Sequence, residues 1–255
     1  MRGPQGASFQ VVRLEVTQPD SCVHPQLPAD AILLSQTSLQ FPRGAEKHRD
    51  VTSAFIEQSH SVATLILSRL STSLGLKGAS RLENLHRADR PSTSTAVMQH
   101  YPFEGDLPAD TSTGHFTHTD TGSITILFNT EWGLQVCSPH GEEWQYVPPA
   151  QGTRAIVNIG DTVKFLTDGR LKSCLHRVVP CQDRWACGSR YAIIFFLRAN
   201  NEVEFEDLEG QRWNARDWLN RKFLNYRSPH EVQKQTPIAT GRLGFVGLWQ
   251  PALPN

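Results

Sequence analysis

The sequence predicts a mainly-β protein with flanking helices, built around a jelly-roll core. Between residues 96 and 198 the chain breaks into short extended runs: "AVMQHY", "SITILF", "LQV", "WQYV", "AIVNI", "VKFL", "LKS", "HRVV" and "RYAIIFFL". Gly, Pro, Asp or Asn separate most of them, the pattern of strands that fold back on one another in an antiparallel sandwich or barrel. On both sides of this region the apolar period becomes helical. With 255 residues the chain can bury roughly 70 to 75 % of its unfolded surface, so one large core is available.

Taken in order, residues 1–44 mix Pro, Asp and Ser with short apolar pieces and read as an irregular arm. Residues 45–255 read as a single domain. Over residues 45–76, Val51, Phe55, Val62, Leu65, Ile66, Leu70 and Leu74 recur mostly at three- and four-residue steps, which predicts a half-buried helix stopped by Gly75 and Gly78. "RLENLHRADRPSTST" is a turn-rich connector, with "HRADR", His86 to Arg90, on its solvated side. After the core, residues 213–236 predict C-terminal helices in "NARDWLNRKF" and "SPHEVQKQ". Asn214 and Ser228 suit N-caps, and Pro229 suits a first helical position. Trp213, Trp218 and Phe223 are spaced as an apolar helix face docking on the sheet.

Basic and acidic residues balance, 25 against 25, so there is no excess positive charge to bind nucleic acid. No apolar run is long enough to span a bilayer, and "MRGPQGASFQVV" lacks the apolar segment of a secretory signal. The expected location is the cytoplasm. Five scattered cysteines, Cys22, Cys137, Cys174, Cys181 and Cys187, suggest reduced thiols rather than a disulfide framework. Three of them lie near His176 but lack the C-x-x-C spacing of a compact structural zinc site.

The chemistry concentrates in "HFTHTDTGSITILF", His115 to Phe128. Residues two apart in an extended segment project to one face, so His118 and Asp120 can chelate one ion while Thr119 points away. Alone, the pair is equally a polar turn before a strand. His115, three residues before His118, faces the opposite way. His176 in "LKSCLHRVVP" can supply a third ligand, and Arg190 then opens the last strand. Two imidazoles and one carboxylate occupy one face of an octahedron and leave the remaining positions open, as non-haem Fe(II) oxygenases require. Zinc in a hydrolytic site could use the same donors, but the order His-x-Asp, long gap, His, then Arg on a terminal strand favours iron.

The stretches "MQHYP", "GHFTHTDTGSITILF", "GLQV", "AIVNIGD", "HRVV", "RYAIIFFLRAN" and "WNARDWLNRKF" together resemble the isopenicillin N synthase-like superfamily of Fe(II)- and 2-oxoglutarate-dependent dioxygenases, in particular its fungal biosynthetic members. The resemblance implies a double-stranded β-helix core with Fe(II) on His118, Asp120 and His176. It also implies 2-oxoglutarate and O2 as cosubstrates, the distal carboxylate of the former meeting Arg190. A guanidinium suits that role because its planar fork can make two parallel bonds to a carboxylate. Tyr101 falls where the family places a hydroxyl near the same cosubstrate, and is equally a packed strand aromatic by residue type. The implied activity is hydroxylation, desaturation or cyclisation of a small-molecule metabolite in secondary-metabolite biosynthesis.

The chain departs from the family pattern in three places. The family motif Arg-x-Ser reads Arg190-Tyr191-Ala192, the usual N-terminal region is short, and "CQDRWACGS" lengthens the loop before Arg190. A missing bond to a charged group, about 1.5 to 3 kcal/mol, would weaken 2-oxoglutarate binding about tenfold or more. Two other readings stay open at this point: an oxidase that uses no 2-oxo acid, like isopenicillin N synthase, and a catalytically silent metal- or small-molecule-binding protein.

Overall fold

The computed structural model describes residues 26–28, 48–101, 117–138, 143–150, 152, 154–179 and 190–241. The predicted arm lies almost wholly outside them, as do His115, Cys22, Cys181 and Cys187.

Helix α1 spans Arg49–Ser73 and buries Thr52, Ile56, Ser59, Ala63, Leu67 and Ser71. This is not the stripe that the apolar spacing predicts, since Val51, Val62 and Leu65 are 70 %, 50 % and 56 % exposed. Phe55, Ile66 and Leu70 flank the contact. Small residues on the buried face let the helix axis come close to the sheet, and counting only large apolar residues passes over them. Ser71 then serves as a polar staple: its Oγ accepts from Leu82 N at 2.8 Å and donates to Glu83 Oε2 at 2.9 Å. The helix ends where Gly75 takes φ +71°, a left-handed conformation that glycine adopts without a Cβ penalty.

The core strands are β1 (Gln26–Pro28), β2 (Thr95–Tyr101), β3 (Ile124–Asn129), β4 (Leu134–Cys137), β5 (Trp144–Tyr146), β6 (Ile156–Ile159), β7 (His176–Val178) and β8 (Arg190–Leu197). They form a five-stranded sheet in the order β1-β2-β8-β3-β6 and a three-stranded sheet in the order β5-β4-β7, antiparallel throughout. The two sheets make the jelly roll. Strand β8 shows the layering: Arg190, Ala192, Ile194 and Phe196 are buried, while Tyr191 and Ile193 are exposed. Ala192, Ile194 and Phe196 pack with Leu134, Val147 and Val178 of the smaller sheet and its adjoining loop, whereas Phe195 and Leu197 pack with Ile56 and Leu67 of α1.

Two of the expected extended runs are not strands. "VKFL" lies in a short helix, α2 (Asp161–Leu166), and "LKS" is irregular. The alternation in "VKFL" arises because Val163 and Phe165 are both buried but belong to different apolar clusters. "HRADR" also departs from expectation, because His86 is 1 % exposed. Its Nδ1 meets Leu82 O and its Nε2 meets Ser123 Oγ, each at 2.6 Å, so the connector is pinned to the loop that leads into β3.

Beyond the core, β9 (Glu204–Glu206) and β10 (Arg212–Asn214) form a hairpin that leads into α3 (Ala215–Tyr226). Asn214 caps α3 by accepting from Asp217 N at 2.8 Å. Trp218 packs edge-on against Phe165 of α2 with ring centroids 5.1 Å apart, while Trp213 belongs to β10 rather than to the helix face. In α4 (His230–Lys234) the N-cap is Pro229, one residue later than predicted, because Ser228 Oγ instead donates back to Leu224 O at the end of α3. No described helix is long and apolar enough to cross a membrane.

Candidate metal centre

The centre begins with a backbone link. His118 N donates to His176 O at 2.9 Å and His176 N donates to His118 O at 3.0 Å, so two residues far apart in sequence face each other directly. Both side chains are fully buried, with ring centroids 4.2 Å apart. The His176 Nδ1 contact with Cys174 O, 3.0 Å, places the ring proton on Nδ1 and an acceptor lone pair on Nε2.

Asp120 is oriented by two neutral donors. Its Oδ2 accepts from Thr125 Oγ1 at 2.6 Å and from Asn158 Nδ2 at 2.8 Å, one donor on each of the paired strands β3 and β6. Oδ1 then faces His118 Nε2 at 3.7 Å and His176 Nε2 at 3.9 Å. One ligand atom from each of the three residues falls within 4.8 Å of the others. Donors bound at about 2.0 to 2.2 Å to one ion lie about 3 to 4 Å apart, so the donor set fits a single divalent cation. Burial by itself raises the Asp120 carboxyl, but the two imidazoles and Thr125 more than offset this and hold it well below the usual carboxylate range. An anionic carboxylate is the form a metal needs.

Thr119 points the other way, as strand alternation requires. Its N–H donates to Ala239 O at 3.1 Å and its carbonyl accepts from Tyr226 OH at 2.9 Å. Its hydroxyl accepts from Lys222 Nζ at 2.7 Å and donates to Asp161 Oδ2 at 3.0 Å. Lys222 is fully buried and ion-pairs with Asp161. Burial draws the Lys222 ammonium below its ordinary range, partly countered by Asp161. On the same side, Gly160 lets α2 start against the ligand loop: a Cβ there would overlap Gly122 O and lie 2.9 Å from Asp120 O.

Arg190 is fully buried, and its Nε donates to Glu131 O at 2.9 Å, which fixes the plane of the guanidinium. Gly133, at φ +135°, brings the backbone before β4 close to it, with the Cβ position 3.6 Å from Arg190 Nε. Tyr101 is paired in register with Arg190, and its side chain lies outside the description. Among the described residues no other group of three His, Cys, Asp or Glu has metal-binding geometry. Sequence reasoning missed Thr125, Asn158, Asp161, Lys222 and Tyr226. Asn158 and Asp161 do stand in the quoted "AIVNIGD", but nothing local marks them as supports of Asp120 and Thr119.

A jelly roll with this donor set falls among the non-haem iron oxygenases that use 2-oxoglutarate. Residues 92–199 match the 2OG-Fe(II) oxygenase superfamily. The chain belongs to that superfamily, and its relatives point to the fungal biosynthetic branch. It is 43 % identical to 2-oxoglutarate-dependent dioxygenase iboH of Amanita muscaria over 73 % of this chain and 90 % of that protein. It is 37 % identical to oxidoreductase vrtI of Penicillium aethiopicum over 79 % of this chain, but spans only 49 % of that relative's length. Among solved structures, the rice dioxygenase for auxin oxidation superposes with TM-score 0.58 at 23 % identity, covering 79 % of this chain and 67 % of that one. A full-length Neurospora crassa protein solved in complex with alpha-KG superposes with TM-score 0.59 at 21 % identity, covering 75 % and 63 %. These two likenesses bear on the fold alone.

Proposed function

We propose that the chain oxidises a small-molecule metabolite in secondary-metabolite biosynthesis, with Fe(II) held by His118, Asp120 and His176. The observation that carries this reading is the convergence of Asp120 Oδ1 on the Nε2 atoms of both histidines. When bound, Fe(II) with 2-oxoglutarate supplies oxygen activation coupled to loss of carbon dioxide from the 2-oxo acid. The residues supply position and environment. Asp120 contributes one negative charge toward a divalent cation, and the hydrogen bonds from Thr125 and Asn158 keep its second oxygen from rotating in. Arg190 receives the distal carboxylate of 2-oxoglutarate. Leu134, Val178, Ile194 and Phe196 make the interior between the sheets apolar, so water competes poorly there.

The substrate class rests on the relatives, whose names describe dioxygenases and an oxidoreductase, and on the balanced charge, which gives no footprint for a nucleic-acid polymer. Cytoplasmic placement belongs to the same proposal. Anaerobic addition of Fe(II) and then 2-oxoglutarate tests the reading. A visible metal-to-ligand charge-transfer band is expected, and its absence overturns the use of 2-oxoglutarate. Oxygen uptake with a panel of metabolites then separates an oxygenase from an oxidase without a 2-oxo acid and from a silent binder.

A further inference from the structure

Residues 118–123, which carry His118 and Asp120, present six carbonyls in a row, and each accepts a hydrogen bond. His118 O accepts from His176 N at 3.0 Å, Asp120 O from Asp161 N at 2.8 Å, Gly122 O from Thr162 N at 3.0 Å and Ser123 O from Gly160 N at 3.0 Å. Thr121 O accepts from the Thr162 hydroxyl at 2.9 Å. Strand β7 and the start of α2 thus hold five of the six. The remaining one, Thr119 O, lies between the two candidate ligands, and its donor is Tyr226 OH on the C-terminal helix α3, at 2.9 Å.

Tyr226 meets the site a second time. Its ring stands perpendicular to the His118 imidazole with centroids 6.1 Å apart. The tyrosine is itself firmly seated: it is buried, Phe223 packs edge-on at 5.9 Å, Lys222 Nζ lies 5.7 Å from its ring centroid, and the buried Gln233 donates to its carbonyl at 3.2 Å. A side chain can orient a ligand only when its own rotamer is locked in this way. We infer that Tyr226 is a positioning residue of the metal centre: its hydroxyl fixes the peptide plane between Thr119 and Asp120, and its ring sets the plane of the His118 imidazole. The inference rests on the reading that His118, Asp120 and His176 hold a divalent cation. Side chains two apart keep one direction only while the peptide between them is fixed. Without the hydroxyl, Thr119 O becomes a buried carbonyl lacking a donor that it now has, and the peptide turns to find another. That turn carries the Asp120 carboxylate out of line with the two Nε2 atoms. The phenol is committed to Thr119 O, so Tyr226 acts through its neighbours rather than as a ligand.

The test titrates the full chain with Co(II), whose visible d–d bands report coordination geometry as well as occupancy. Tyr226→Phe removes the hydroxyl and keeps the ring, and Tyr226→Leu removes both. Ile56→Val is the control, a lost methylene in the apolar cluster beneath α1 that lowers the melting temperature without altering a candidate ligand. Tyr226→Phe is expected to bind Co(II) about tenfold or more weakly, with bands shifted at saturating metal. Tyr226→Leu should bind more weakly again, and Ile56→Val should keep the parent's affinity and bands. Unchanged affinity in Tyr226→Phe, weaker affinity with unshifted bands, no further loss in Tyr226→Leu, or an equal loss in Ile56→Val overturns the inference while leaving the metal site standing. No Co(II) bands from the parent protein overturn the metal reading and this inference together. If either tyrosine variant does not fold, hydrogen exchange in the parent takes its place: the amides of α3 should slow on Co(II) binding by more than those of α1, and equal slowing or none overturns the inference.

Discussion

Lys222 Nζ donates to Thr119 Oγ1 at 2.7 Å, so the buried cation of a C-terminal helix grips the residue between the two metal-facing side chains His118 and Asp120. The loop that carries these two candidate ligands is therefore held from behind. Lys222 also pairs with Asp161, which opens α2, and one buried ion pair thereby ties α2, α3 and the loop together.

Removing one partner of that pair leaves the other charge buried and uncompensated. Lys222→Met is expected to destabilise the protein by about 3 to 5 kcal/mol, read from urea unfolding midpoints. Adding Asp161→Asn should recover part of the loss. A single variant as stable as the parent would show that the pair contributes nothing.

Asp120→Ala deletes the one anionic donor and both hydrogen bonds that aim it. Fe(II) affinity measured by calorimetry in the absence of oxygen should fall at least about tenfold, the lower end of what even supporting residues of metal sites contribute. Unchanged affinity would remove Asp120 from the ligand set.

Arg190→Lys keeps the charge but loses the planar fork. 2-Oxoglutarate should bind about tenfold or more weakly, with Fe(II) binding unaltered. A loss of iron affinity instead would mean that Arg190 shapes the metal centre itself.

Burial holds the His86 imidazole down to about 4, against an ordinary value of 6.5, with the Leu82 carbonyl only partly countering this. As pH falls below 6.5 the unfolded chain takes up the proton first, while the folded protein stays neutral there until about 4. Stability from this group is thus complete above 6.5 and declines across that window, by about 3 kcal/mol in all. Unfolding free energies measured at pH 7, 5.5 and 4.5 should show the decline, and it should shrink in His86→Gln. A slope equal in both proteins would assign the acid sensitivity elsewhere.

Gly160→Ala would drive a methyl group into Gly122 O. Because the neighbour is backbone, relief requires moving the ligand loop, at a cost of about 1 to 3 kcal/mol. Both melting temperature and Fe(II) affinity should fall. Retention of both would show that α2 can shift independently of Asp120.

How much of this was legible depended on how local each signal was. His118, Asp120 and His176 could be picked out because a two-residue step on an extended chain is a short-range fact, and few residue types ligate metal. The β region was legible from turn residues between short runs. The supports were not, since Lys222 reads as a solvent-facing helix position until the packing shows that its partner Asp161 is buried beside it. The buried stripe of α1 was misread for a related reason: Ser59, Ala63 and Ser71 carry no hydrophobic signal, and close approach is what gives them value.

Every polar backbone or side-chain group of Thr119 is met by an atom from later in the chain: Asp161, Lys222, Tyr226 and Ala239. During synthesis the histidines and the aspartate leave the ribosome well before Lys222 and Tyr226 do. A nascent chain that has made its barrel strands still lacks the brace behind this loop, which arrives only with the helix that carries Lys222.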